Sequence, residues 1–182
     1  MKITIERANE LLARAETKRV LVVGDLMMDR FVYGSVSRVS PEAPVPVVHV
    51  TREKAMPGGA CNVASNLLAL GGNAAMAGVI GQDAVGAELK EQLSAAGVSL
   101  DALLENGDFP TCEKTRVVAE RQQVVRVDRE EYMKISAAEM VVFRERVKAE
   151  IARADGVIIE DYGKGSVQQE VVDTVLAAAE EK

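Results

Sequence analysis

Apolar and polar positions follow two periods along this chain. Ile5, Ala8, Leu11, Leu12 and Ala15 recur at the spacing of one helix face, so the chain opens with an amphipathic helix. Val20-Leu21-Val22-Val23 follows as a short unbroken apolar run that ends at Gly24-Asp25. That is the pattern of a parallel strand buried on both faces. Phe31 to Val36 and Val45 to Val50 are β-rich in a different way, with Gly34 interrupting the first and Ser40-Pro41-Glu42-Ala43-Pro44-Val45-Pro46 separating the two. Proline cannot donate to a ladder, which places this pair in a peripheral sheet or at an edge.

From Ala60 onward the patterns alternate. Ala60 to Leu70 is helical in composition and stops at Gly71-Gly72; Ala74 to Ile80 reads as a strand; Ala84 to Ala96 reads as a helix stopped by Gly97. Lys114 to Glu120 and Gln123 to Asp128 read as two further strands, although Arg121-Gln122 between them is a poor turn by residue chemistry. Ala137 to Ala154 is a long amphipathic helix with Met140, Phe143, Val147 and Ile151 on one stripe. Gly156 to Asp161 is a second buried strand and Val167 to Glu181 a last helix. This alternation predicts an α/β fold, a doubly wound layer built on a parallel sheet. The segments 31–50 and 113–128 form a second, smaller β layer. A strand–helix unit ordinarily feeds another parallel strand. The chain ends at Glu180-Glu181-Lys182, which reads either as a terminal helix packed on the sheet or as a truncation.

Composition narrows the function classes. At 182 residues, 48% hydrophobic and 27% charged, the chain has the make-up of one globular domain. Aromatics are only 3% and tryptophan is absent, which argues against a stacking platform for single-stranded nucleic acid. A net charge of −6 argues against a general nucleic-acid or anionic-membrane binder, but an anionic small ligand feels only its own pocket. Cys61 and Cys112 read as two reduced, buried thiols of a cytoplasmic protein rather than a disulfide framework. No apolar run reaches the roughly 18 residues of a membrane span. Met1 to Arg7 carries Glu6 and lacks the continuous apolar core of a signal peptide. His49, the single histidine, has no histidine partner for a zinc site and reads as a surface or edge residue.

Five constellations can carry chemistry. Gly24-Asp25-Leu26-Met27-Met28-Asp29 lies at the carboxyl end of the first buried strand, where open α/β sheets bind ligands. Its carboxylates can accept from sugar hydroxyls or simply cap a turn. Pro57-Gly58-Gly59-Ala60-Cys61-Asn62 opens a helix, and paired glycines there admit a ligand to the backbone or merely give a flexible entry. In Gly78 to Gly86 a structural role wins: Gly81 makes the strand-to-helix turn and Asp83 caps the helix. Lys114, Arg116, Arg121, Arg126 and Arg129 make a local cationic face, either a phosphate site or a solvated face balanced by Glu113, Glu120, Asp128, Glu130 and Glu131. Asp161-Tyr162-Gly163-Lys164-Gly165 follows the second buried strand and can present an ammonium to a phosphate oxygen, or is a turn with a solvent-facing lysine.

In this order and spacing, Gly24-Asp25 with Asp29, Gly58-Gly59 with Asn62, and Gly81 to Gly86 resemble the N-terminal half of a PfkB/ribokinase-family carbohydrate kinase. Within that family Ser37 to Val48, Gln122 to Asp128 and Asp161 to Gly165 are most similar to the branch that phosphorylates D-glycero-β-D-manno-heptose 7-phosphate. The likeness covers essentially all of the chain. It implies a ribokinase-like doubly wound parallel sheet, incomplete here, with a small β-sheet lid at about 31–50 and 113–128. Residues 1–182 would be the N-terminal part of the kinase domain. The implied role is the acceptor-binding half of an enzyme that transfers the ATP γ-phosphoryl group to the heptose, giving the 1,7-bisphosphate of lipopolysaccharide core synthesis. Asp29 would hydrogen-bond sugar hydroxyls, with Gly58, Gly59 and Asn62 cradling the ring. Lys114, Arg116 and Lys164 would take the anionic groups, and the lids would pair two copies into a homodimer.

The chain also departs from the family. The Gly-Ala-Gly-Asp motif that supplies the base and the anion hole is missing. No catalytic residue and no metal ligand is therefore expected in these residues. ATP with Mg2+ would serve the complete enzyme, with no cofactor held tightly by this chain, which would itself be inactive. Two other readings fit the same residues: a non-catalytic sugar-phosphate-binding or dimerising module, and a PfkB-type kinase for another sugar phosphate.

Overall fold

The computed structural model describes residues 3–182; Met1 and Lys2 lie outside them. Helix α1 (Ile5–Ala15) is capped by the Thr4 hydroxyl, which accepts from the Arg7 N–H. None of its residues is buried, so the apolar stripe faces away from the core. Strand β1 (Arg19–Gly24) then enters the protein. It pairs in parallel with β4 (Asn73–Gly81) on one side and with β8 (Gly156–Glu160) on the other. A further strand, β5 (Ser99–Asn106), pairs with β4 and gives the order β5-β4-β1-β8. In β8 the backbone pairs with β1 alone, and Ile159 is exposed at that edge.

Side-chain alternation in β1 and β4 divides the core in two. Leu21, Val23, Ala75, Ala77 and Val79 face helices α4 (Ala137–Arg153) and α5 (Gln169–Glu180), where Phe143, Val147, Ile151, Val171 and Val175 fill the layer. Val22, Ala74, Met76 and Ile80 face helices α2 (Ala60–Ala69) and α3 (Ala84–Ala95), against Ala64, Leu89 and Leu93. The result is the doubly wound arrangement that the pattern predicts. The stripe Met140, Phe143, Val147 and Ile151 is buried as read. The same face of α4 buries one charge, Glu150, which Arg19 and Arg153 neutralise at 2.5 and 3.1 Å.

The second sheet is larger than the pattern suggests. Strands β2 (Leu26–Val39) and β3 (Pro46–Gly59) each run 14 residues, and β6 (Cys112–Ala119) and β7 (Gln122–Arg129) complete the order β3-β2-β6-β7. It has as many strands as the main sheet. Both long strands are rooted in the body: Leu26, Met27, Met28 and Gly58 are buried, and exposure rises toward the far turn. Pro41 and Pro44 stay in that turn and Pro46 starts the edge strand β3, so no proline breaks a central ladder. Gly34 is not a break but sits at a register shift, pressed against the His49 carbonyl. His49 itself is exposed on that edge strand.

The structure adds one strand to the sequence reading and forms the hairpin whose turn residues spoke against it. The strand β5 went unread because Asp101 and Glu105 interrupt its apolar run, although Ala102, Leu103 and Leu104 are buried. The hairpin between β6 and β7 does form despite its residues. It turns at Glu120-Arg121, where both take positive φ, 50° and 67°, the handedness a tight hairpin needs. Both cysteines are free and buried. Among the described residues no helix is long and apolar enough to cross a membrane.

The two sheets meet where Gly78 of β4 lies against Leu26 and Gly24. An added methyl there overlaps the Leu26 side chain and the Gly24 carbonyl oxygen, and backbone cannot rotate away. Gly78→Ala is expected to lower stability by about 1–3 kcal/mol in chemical denaturation. A change of about 0.5 kcal/mol or less, typical of an open surface position, would show that this junction is slack.

Candidate functional site

The carboxyl ends of β1, β4 and β8 lie side by side, and one buried residue organises the loops above them. Asp25 follows β1 directly and is fully buried. Its Oδ2 accepts the backbone N–H groups of Tyr162 and Lys164 at 2.9 and 3.0 Å, and its Oδ1 accepts that of Ser166 at 3.0 Å. Its own N–H donates to the Glu160 carbonyl, and its carbonyl accepts from the Ala60 N–H at the start of α2. Asp25 thus caps a loop, but a distant one: it holds the Asp161–Gly165 segment over the sheet edge. Gly59 turns between β3 and α2 with φ +54°, and a side chain there would press on the Asp25 carbonyl.

Asp29 lies four residues into β2, on the face that also carries Phe31 and Tyr33. Its Oδ1 accepts from the Arg116 guanidinium at 2.5 Å. Directly across the ladder from Met27 is Gly58, and a methyl on Gly58 would overlap the Asp29 carboxylate. Gly58 is therefore the clearance that lets the carboxylate lie over β3. The ring of Tyr162 is close enough that burial, with help from the Glu160 and Asp29 charges, raises its phenol.

Lys114 is the register partner of Asp29 on β6, one strand spacing away. Its ammonium reaches Glu130 at 2.5 Å and Asp128 at 3.3 Å. The Lys164 ammonium meets the other oxygen of the same Glu130 at 2.8 Å. The buried Cys112 thiol completes the cluster by donating to Glu130 at 3.6 Å. Burial pushes that thiol up to about 11, so it is a neutral donor.

The structure thus brings Asp29, Gly58, Lys114, Arg116 and Lys164 into one neighbourhood, with Gly59 at its floor. Asn62 is exposed in the first turn of α2, three residues after Gly59, and no hydrogen bond joins it to Asp29 among the described residues. The cationic face is not free, since Asp29 and Glu130 already pair with its members. Glu130 was read only as background charge, and its role depends on a fold that returns residue 130 beside 114 and 164. The aromatic ledge was also missed. Phe31 and Tyr33 stack at 6.1 Å, with the Arg116 guanidinium 5.4 Å over Phe31 and that of Arg52 4.3 Å over Tyr33. The i, i+2 spacing of Asp29, Phe31 and Tyr33 was the available signal.

The Gly81–Gly86 segment is structural as read. Asp83 caps α3 by accepting from Gly86, and it also accepts from the Thr111 N–H and hydroxyl. Among the described residues no group of three or more histidine, cysteine, aspartate or glutamate side chains is placed to hold a metal ion. A groove of about 680 Å³ between α4 and α5, lined by Arg144, Asp173 and Lys182, lies on the helical layer rather than at this sheet edge.

Comparison with known proteins identifies the family. The model of the pfkB family of carbohydrate kinases matches residues 17–182. The chain is 44% identical over 160 residues to the bifunctional protein HldE of Gluconacetobacter diazotrophicus, covering 88% of this chain and 33% of that protein. It is 46% identical over 164 residues to the protein of the same name from Chromohalobacter salexigens, covering 90% and 33%. The chain thus spans about a third of the length of these relatives. A possible 1-phosphofructokinase from Thermotoga maritima shares the fold, with a TM-score of 0.67 at 17% identity, over 90% of this chain and 50% of that one.

The Glu130 cluster has an acid signature. The Lys114 hydrogen bond first, then that of Lys164, holds the Glu130 carboxyl down at about 2, against an ordinary 4.5. A carboxyl lowered in the folded state stabilises it above the unfolded value, and that contribution is lost as pH falls toward the folded value. The stability gap between the native chain and Glu130→Gln should be about 1 kcal/mol at pH 7, since solvent screens a partly exposed pair. Urea melts should show it closing between pH 4.5 and 2. A gap that stays constant with pH would contradict the pairing.

Proposed function

This chain belongs to the pfkB family of carbohydrate kinases, and from that premise we propose that it is the acceptor-binding part of an ATP-dependent sugar kinase. The proposed acceptor is D-glycero-β-D-manno-heptose 7-phosphate and the product the 1,7-bisphosphate, in lipopolysaccharide core heptose synthesis. One observation carries the reading: a carboxylate and three cationic side chains converge at the carboxyl edge of a doubly wound sheet. There Asp29 and Arg116 pair at 2.5 Å beside Lys114 and Lys164. The heptose assignment is supported by the Ser37–Val48 and Asp161–Gly165 stretches and by the likeness to the HldE proteins.

In this reading residues 1–182 are the N-terminal part of the kinase domain, and the second sheet is its lid. Asp29 accepts from sugar hydroxyls, and its existing partner Arg116 keeps the carboxylate aimed. Gly58 and Gly59 leave the floor open, and Asn62 closes the ring from the start of α2. Lys114, Arg116 and Lys164 take the anionic end. Phosphoryl transfer depends on positioning and charge neutralisation more than on covalent steps. ATP with Mg2+ supplies the phosphoryl group when bound to the complete enzyme. What these residues contribute is the placement of the acceptor.

Two outcomes test the reading. In isothermal titration the chain should bind the heptose 7-phosphate without ATP-dependent turnover. Asp29→Ala should weaken binding about tenfold or more, the effect of one charged hydrogen bond. ADP release at a rate comparable to a complete enzyme, or unchanged binding by Asp29→Ala, would sink it.

The lid also carries an apolar row. Val32, Val117 and Val125 are register partners across β2, β6 and β7, with Val127 beside them on β7, 58% exposed. Val36 and Val48 extend the same face, while Val47 alternates to the other side. An exposed sheet face of this kind favours association, so we place a homodimer contact here. Light scattering should find a dimer that Val125→Asp converts to monomer. A native chain that stays monomeric at high concentration would contradict it.

A further inference from the structure

We propose that Glu130 is a built-in occupant of the anion pocket, a carboxylate that holds Lys114 and Lys164 until the phosphate of an incoming sugar phosphate displaces it. This rests on the acceptor-site reading above and adds a residue that the reading does not use. The observation is the sharing of one carboxylate between two ammonium groups from different parts of the fold. Lys114 comes from β6 of the second sheet and Lys164 from the loop above β8 of the main sheet. Each oxygen of Glu130 takes one of them, at 2.5 and 2.8 Å, and the Cys112 thiol adds a donor on the first side. Two cations from two parts of the fold thus meet at one point with a single carboxylate between them. Glu130 presents two oxygens on one carbon, much as the edge of a phosphoryl group presents two on one phosphorus.

The charge count favours exchange. Glu130 brings one negative charge to two lysines, and Asp128, the other partner of Lys114, is also engaged by Arg126 at 2.9 Å. A phosphate monoester brings about −1.5 to −2 at neutral pH and further acceptor oxygens. It therefore outbids a single carboxylate once it is positioned. The chain can make the exchange without moving its backbone. Glu130 opens the irregular segment 130–136 with its side chain 28% exposed, so it can swing to solvent. Three residues on, the Met133 N–H donates to the Lys164 carbonyl at 2.8 Å and Gly165 packs against the Met133 backbone, which keeps the Lys164 loop in place. Glu130 keeps the two ammonium groups near each other, so an anion that displaces it meets both cations at once.

The test is a titration of the 182-residue chain with D-glycero-β-D-manno-heptose 7-phosphate and, separately, with inorganic phosphate. Glu130→Gln should bind both probes about fivefold more tightly than the native chain, the upper range for loss of a competing partly exposed ion pair. Glu130→Asp, which restores the charge, should return affinity toward the native value. If the native chain binds the sugar phosphate and Glu130→Gln binds it equally or more weakly, the occupant role is overturned while the acceptor site stands. If neither form binds it, the acceptor-site reading falls and this inference with it. Should Glu130→Gln fail to fold by circular dichroism, the native chain with 13C-labelled glutamate decides. Saturating phosphate should shift the Glu130 carboxyl resonance, and an unmoved resonance overturns the proposal.

Discussion

The geometry of the site depends on one buried carboxylate. Asp25 accepts backbone N–H groups from Tyr162, Lys164 and Ser166, and its own backbone bonds to Glu160 and Ala60. A buried charge is tolerable only when it is fully hydrogen-bonded, and charge-assisted bonds to backbone are among the stronger ones. Asp25 therefore fixes three things together: the end of β1, the start of α2, and the loop that carries Lys164. The residue after it, Leu26, begins β2. The position of Asp29, four residues on, follows from where Asp25 is anchored.

On that frame the polar groups of the site neutralise one another. Asp29 is paired with Arg116, and Glu130 with Lys114 and Lys164. This resolves the tension between an acidic chain of net charge −6 and a cationic binding face. The cations are concentrated locally, and partners from within the chain hold them. These pairs are partly exposed, so solvent screens them and their contribution to stability is modest. The second sheet supplies most of these groups from one face of β2 and β6. Its opposite face carries the valine row, so the two faces serve different purposes, as strand alternation requires.

Much of this was legible in the sequence. The apolar runs at Val20–Val23 and Ala74–Ile80 and the α4 stripe fixed the layers, because burial on both faces leaves an unbroken apolar signature. Asp83 was readable as a cap because capping is local. Strand β5 was not readable, since Asp101 and Glu105 lie on exposed positions between its buried residues. The length of β2 and β3 was hidden because Asp29-Arg30, Thr51 to Lys54 and Pro57-Gly58-Gly59 interrupt the apolar, β-rich runs with polar, proline and glycine residues. Gly58 looks like a flexible helix entry in sequence, whereas in the fold it is strand backbone that clears space for Asp29. Glu130 and the reach of Asp25 were out of view for another reason. Their partners lie 16 to 141 residues away, and only the fold brings them together.

The central claim is that Asp25 is the main tie ordering the loop that carries Lys164. Amide hydrogen exchange of the chain and of Asp25→Ala, read residue by residue, tests it directly. The Tyr162, Lys164 and Ser166 amides should be protected in the native chain and should lose that protection together in the variant, while the Val22 and Ala77 amides in the main sheet stay slow. Continued protection of the three loop amides without the Asp25 carboxylate would contradict the account.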